Sequence, residues 1–132
     1  TQRLLMATRW VRQHIPPTRP LPLGYFGAST GAAAALQAAA VLGGDIHAVV
    51  SRGGRPDLAG THDLTLVKCP TLLLVGERDE EVLQLNRTAY ARLSCTKELS
   101  IISGATHLFE EPGALEEVAR QSAHWFSQYL TP

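Results

Sequence analysis

Leu23-Gly24-Tyr25-Phe26-Gly27-Ala28-Ser29-Thr30-Gly31, followed by an alanine-rich run, decides how this chain is read. The stretch has the form of a short apolar strand, a Gly-x-Ser-x-Gly turn and a helix of small residues. A turn that tight crowds the backbone, and Gly27 and Gly31 have no Cβ to clash. Ser29 is then expected in a strained conformation with its hydroxyl exposed, as in a nucleophile elbow. The Thr30 amide, at the start of the new helix, faces the same space and can donate to an oxyanion. The five residues alone fit an ordinary turn equally well, with Ser29 as a helix N-cap. The strand before them and the helix after them favour the elbow.

A serine hydroxyl needs a neighbouring base to act as a nucleophile. Two later segments supply candidates. Thr71-Leu72-Leu73-Leu74-Val75 is an apolar run ending in Gly76-Glu77-Arg78-Asp79, and Leu99-Ser100-Ile101-Ile102 is a second, ending in Ser103-Gly104-Ala105-Thr106-His107. An acid and a histidine thus each follow a strand, in the chain order Ser29, Asp79, His107. In parallel sheets functional groups gather beyond the carboxyl ends of the strands, where all three fall. Each has a structural alternative. Asp79 could serve only to cap the helix beginning at Glu80, His107 could be a turn residue, and Glu77, Glu80 and Glu81 compete as the acid. His14, His47, His62 and His124 have no such context.

In this combination and order the chain resembles the α/β-hydrolase superfamily, and within it the dienelactone-hydrolase-like serine hydrolases. The resemblance rests on Gly27-Ala28-Ser29-Thr30-Gly31, Val49-Val50-Ser51-Arg52-Gly53-Gly54-Arg55-Pro56-Asp57-Leu58, Leu74-Val75-Gly76-Glu77-Arg78-Asp79 and Gly104-Ala105-Thr106-His107-Leu108-Phe109-Glu110-Glu111-Pro112-Gly113. It implies an α/β fold of three layers around a mostly parallel sheet of about four strands. It also implies cleavage of an ester, thioester or lactone by Ser29, His107 and Asp79, with Asp79 preferred because it matches the family position. Some members of the family are fused to a phosphoribosyltransferase-like domain, which residues 1–132 do not include. A full domain of this family carries several strands before the elbow and a loop giving a second oxyanion amide. Only Thr1 to Pro22 stand there, so the chain is expected to be the C-terminal half of the fold, forming one domain over 1–132. Its elbow strand, interior in the family order, would then be an edge, inviting a homodimer or a partner chain along Leu23–Phe26. A non-catalytic interaction module is therefore the competing function.

Composition bounds the rest. The 12 basic and 12 acidic residues cancel, leaving no broad basic field for nucleic acid. No apolar run approaches the ~20 residues needed to span a bilayer, and a cytoplasmic, ester-like-substrate enzyme is the expectation. Cys69 and Cys95 lack metal-ligand spacing and read as small buried apolar residues. No metal and no cofactor is expected. The Gly-rich, basic stretch Arg52-Gly53-Gly54-Arg55-Pro56 lacks a phosphate-loop lysine and reads as a turn beside the site.

Periodicity places helices over Leu4–His14 (Leu4, Leu5, Ala7, Trp10 and Val11 inward), Ala32–Leu42, Glu80–Leu93 (Val82, Leu85, Ala89, Tyr90 and Leu93 inward) and Gly113–Tyr129 (Leu115, Val118, Ala119, Ser122, Trp125, Phe126 and Tyr129 inward). Strands are expected at Leu23–Phe26, Ile46–Ser51, Thr71–Val75 and Lys97–Ile102. Pro16, Pro17, Pro20 and Pro22 form a rigid connector into the elbow strand.

Overall fold

Four strands, β1 (Leu23–Ala28), β2 (Ile46–Arg52), β3 (Thr71–Gly76) and β4 (Lys97–Ile102), form one parallel sheet in the order β1-β2-β3-β4. The computed structural model describes residues 1–14 and 21–131. The expected connector through Pro16, Pro17 and Pro20 lies outside these residues. Helix α1 (Gln2–His14) precedes β1, and α2 (Thr30–Leu42), α3 (Thr61–Leu66) and α4 (Glu80–Arg92) cross between successive strands. Helix α5 (Ala114–Tyr129) follows β4. A parallel sheet that grows in one direction through crossovers of one hand places all its crossover helices on the same face.

The core divides accordingly. On the crossover face Leu5, Leu36, Val49, Leu64, Leu73 and Ala89 form one buried cluster. On the other face Ala48, Val50, Leu72, Leu74, Phe109, Val118 and Trp125 form a second, under α5. Strand residues alternate between the two, as a pleated strand requires. Strand β3 is buried at every position, which explains its unbroken apolar sequence Thr71-Leu72-Leu73-Leu74-Val75. The outer strand β4 carries exposed Glu98.

Several inward faces differ from the periodic reading. In α1 the buried residues are Leu5 and Thr8, while Ala7 is exposed and Trp10 is 61% exposed. The Thr8 hydroxyl is 2.6 Å from the Tyr25 hydroxyl and also donates to the Leu4 carbonyl, so a polar residue anchors the helix to β1. Trp10 instead stacks on His14 at the surface. In α5 the inward line is Ala114, Val118, Ser122 and Trp125, leaving Leu115 and Ala119 exposed. In α4 the buried line is Leu83, Asn86 and Ala89, flanked by Val82, Leu85 and Tyr90. Helix α3 and a 3-10 turn at Pro56–Ala59, not marked by periodicity, complete the crossover between β2 and β3. Cys69 is buried and Cys95 half-buried, and both are free thiols. Burial pushes the Cys69 thiol up to about 11, which keeps it in its unreactive form near neutral pH.

Leu73 is fully buried in the crossover-face cluster, whereas Val41 on α2 is 62% exposed. Leu73→Ala is expected to lower unfolding free energy in urea by about 2–5 kcal/mol. Val41→Ala should change it by no more than about 0.5 kcal/mol.

Candidate active site

Three loops at the carboxyl ends of β1, β3 and β4 carry Ser29, Asp79 and His107 to one place. The Ser29 hydroxyl lies 3.0 Å from His107 Nε2, and Asp79 Oδ2 lies 2.7 Å from His107 Nδ1. Because the carboxylate accepts, the neutral imidazole carries its proton on Nδ1. Nε2 is then the acceptor that meets the Ser29 O–H. Asp79 is sheltered, its side chain 15% exposed, and His107 is open to solvent at 40%. Of the competing acids, Glu77 turns to accept from the Gly104 amide, and Glu80 and Glu81 are exposed on the first turn of α4. His14, His47, His62 and His124 are all exposed.

Both Ser29 and Asp79 occupy N-cap positions, of α2 and α4, yet neither side chain caps its helix. Each is directed to His107 instead. Ser29 has φ 50° and ψ −124°, a conformation rare for a residue with a Cβ and costing about 1–3 kcal/mol. Its backbone is braced: its carbonyl accepts from the Ala32 and Arg55 amides, and its own amide donates to the Arg52 carbonyl. The Thr30 amide sits in the first turn of α2, where no intrahelical acceptor exists for it.

The two elbow glycines differ. A Cβ at Gly27 would stand 2.7 Å from the Gly31 carbonyl and 2.8 Å from the Ala32 backbone, so the turn admits only glycine there. A Cβ at Gly31 would meet nothing within 4 Å among the described residues. The expectation of crowding at Gly31 is thus corrected: it lies exposed in the first turn of α2, where a Cβ has open space.

The histidine loop is held from both sides. Glu111 accepts from the Thr106 amide at 2.6 Å and from the Thr106 hydroxyl. Those bonds, the amide first, hold its carboxyl below the usual carboxylate range. Phe109, buried at 1% exposure with φ 56°, pins the loop to the α5-side core. Gly53, with φ 52°, lies beneath His107: a Cβ there would be 3.5 Å from His107 Cε1 and 3.2 Å from the Phe109 ring. The loop read as a turn beside the site therefore runs close beneath the His107 loop, with room for no larger residue at Gly53 without contact to it. The sequence marked it only by its paired glycines.

Among the described residues no group of three or more His, Cys, Asp or Glu side chains is placed to hold a metal ion. No helix among them is long and apolar enough to cross a membrane. A hollow of about 610 Å³ lined by Arg12, Asp45 and His47 lies at the amino ends of β1 and β2, away from Ser29.

Two outcomes follow from this geometry. Gly27→Ala should destabilise the fold by at least about 1 kcal/mol in chemical denaturation, while Gly31→Ala should be neutral or slightly stabilising, as alanine favours helix. For Glu111 the pKa is lowered in the folded state. Its contribution is complete above its ordinary value of 4.5 and is lost as pH falls through the lowered one. Hydrogen exchange of the Thr106 amide, corrected for intrinsic rate, should stay slow at mildly acidic pH and lose its protection only at stronger acidity. Glu111→Gln should abolish that transition.

No protein-family model matches the chain. It is 53% identical to a dienelactone hydrolase from Anabaena variabilis, with a TM-score of 0.92, covering 98% of this chain and 59% of that one. The esterase domain of a Rhodothermus marinus protein superposes with a TM-score of 0.81 at 18% identity, over 97% of this chain and 68% of that one. Proteins from two strains of Mycobacterium tuberculosis, provisionally named as phosphoribosyl transferases, are 55% identical over 128 residues. That match takes in 97% of this chain but 28% of each of theirs. The chain has the α/β-hydrolase fold and is dienelactone-hydrolase-like over nearly its whole length.

Proposed function

We propose that this dienelactone-hydrolase-like chain is the nucleophile-bearing part of a serine hydrolase that cleaves an ester, thioester or lactone through an acyl-enzyme. The observation that carries the reading is the unbroken hydrogen-bonded line Ser29–His107–Asp79. In the first step Ser29 Oγ bonds to the carbonyl carbon while His107 Nε2 takes the hydroxyl proton. The carbonyl π pair moves to oxygen, and the Thr30 amide donates to that oxyanion. Collapse of the tetrahedral species breaks the bond to the leaving alkoxide or thiolate, which leaves with the proton from His107. Water then repeats the sequence against the acyl-serine and frees the acid. Asp79 holds the imidazole tautomer and stabilises the imidazolium without itself becoming protonated.

The chain spans 59% of the dienelactone hydrolase and 28% of the tuberculosis proteins. Most of each tuberculosis protein lies outside the matched stretch. If a second oxyanion donor likewise lies outside it, the chain alone should turn over about a hundredfold or more slowly than a complete domain.

A second reading, compatible with the first, is favoured by β1. Among the described residues it pairs only with β2, and its Phe26 is 50% exposed. An open apolar hollow of about 200 Å³ lined by Leu4, Val11, Leu23 and Tyr25 lies beside it. In this reading a second copy or a partner chain covers the Leu23–Phe26 edge. If a second copy covers it, sedimentation over a wide concentration range should give a dimer that Phe26→Lys dissociates, and a constant monomer mass would contradict self-association.

The hydrolase reading is tested with p-nitrophenyl acetate. Ser29→Ala and His107→Ala should abolish the serine-dependent rate. Asp79→Asn should lower kcat by about 10⁴-fold with the fold intact. Equal rates in the parent and Ser29→Ala would remove Ser29 from the reaction.

A further inference from the structure

Asn86 breaks the pattern of the helix that carries it. It lies on the inward line of α4 between Leu83 and Ala89, is fully buried, and stands where an apolar side chain would pack. Its Nδ2 donates to the Gly54 carbonyl at 3.0 Å and to the Val82 carbonyl at 2.8 Å. Its Oδ1 has no partner among the described residues. A half-satisfied buried amide is a poor choice for stability alone, and such departures concentrate at functional sites.

The carbonyl that Asn86 holds belongs to the loop Gly53-Gly54-Arg55, which reaches both ends of the Ser29–His107 pair. The Arg55 amide donates to the Ser29 carbonyl at 2.9 Å, bracing the strained elbow residue. Gly53 donates to the Leu74 carbonyl at 2.7 Å, and a Cβ on it would stand 3.3 Å from the His107 carbonyl and 3.5 Å from its ring. Gly54 is packed so closely over Ser51 and Ala32 that a Cβ would collide with both. The loop thus borders both the elbow and the histidine loop, and the Asn86 amide fixes its middle residue to α4.

We infer that Asn86 is a positioning residue for the Ser29–His107 pair, acting through the Gly54 carbonyl. Its catalytic consequence rests on the serine-hydrolase reading, while its effect on the loop does not. The test compares the parent chain with Asn86→Leu, which keeps similar volume but cannot donate. Leu93→Ala serves as control, since it removes packing from the crossover-face cluster at the far end of α4. Two quantities are measured well below the melting temperatures: site-resolved amide exchange, and kcat and KM for p-nitrophenyl acetate.

In Asn86→Leu the Gly53 and Arg55 amides should exchange about tenfold or more faster relative to β3 amides. With them kcat should fall by about tenfold or more at nearly constant KM, because small misplacements of reacting groups are costly. In Leu93→Ala protection should fall without favouring this loop, and kcat should be kept. Unchanged relative exchange in Asn86→Leu would overturn the inference. So would selective loop exposure without loss of kcat in an active parent, or reproduction of both effects by Leu93→Ala. A parent without serine-dependent hydrolysis whose loop still loosens selectively in Asn86→Leu would remove the hydrolase reading and leave Asn86 as the anchor of the loop.

Discussion

Everything at this site depends on one imidazole being held in line. His107 can face the Ser29 hydroxyl through Nε2 only because Asp79 occupies Nδ1 at 2.7 Å. The three side chains come from loops that follow different strands, so their meeting is a property of the sheet. Parallel registry sets the strand ends side by side, with Ala28 opposite Arg52, Arg52 opposite Leu74 and Gly76 opposite Ile102. A slip of one residue would turn each strand's buried side chains to the wrong face. The two apolar clusters that forbid this slip also fix the site.

The loops then give up local stability for that alignment. Ser29 and Asp79 stand where each could cap a helix, a contribution of about 1 kcal/mol, and both turn to His107 instead. Ser29 adds a strained backbone, and Phe109 a positive φ under the histidine. Helix starts are nonetheless suitable places for these groups. The positive end of α4 favours the Asp79 carboxylate, and that of α2 would favour an oxyanion beside Ser29. The braces that offset the strain are hydrogen bonds from backbone amides: Arg55 to the Ser29 carbonyl, Thr106 to the Glu111 carboxylate and Gly104 to the Glu77 carboxylate.

Much of this was legible in the residues. The strands announced themselves by apolar runs ended by Gly, Arg or Ser-Gly, and Ser29, Asp79 and His107 by their place just beyond those runs. What periodicity missed has a common cause: polar residues buried for a specific hydrogen bond. Thr8 anchors α1 through Tyr25, so Trp10 points outward where an apolar stripe would have turned it in. Asn86 sits on the inward line of α4 for the Gly54 carbonyl, and no hydropathy pattern reveals a partner so distant in sequence. Short α3 offers too few residues for a period to show. The roles of Gly53, close to the His107 loop, and of Gly54, packed over Ser51 and Ala32, are tertiary facts that a glycine pair only hints at. Gly31 shows the converse: a motif position whose stated reason, crowding, this structure does not supply.

The most direct test of the account is to react the folded chain with a fluorophosphonate and locate the adduct by peptide mass spectrometry. The account predicts a single phosphonylated residue, Ser29, with labelling abolished in His107→Ala and strongly slowed in Asp79→Asn. Labelling elsewhere, or labelling of Ser29 at the same rate without His107, would mean that the hydrogen-bonded line does not activate the serine.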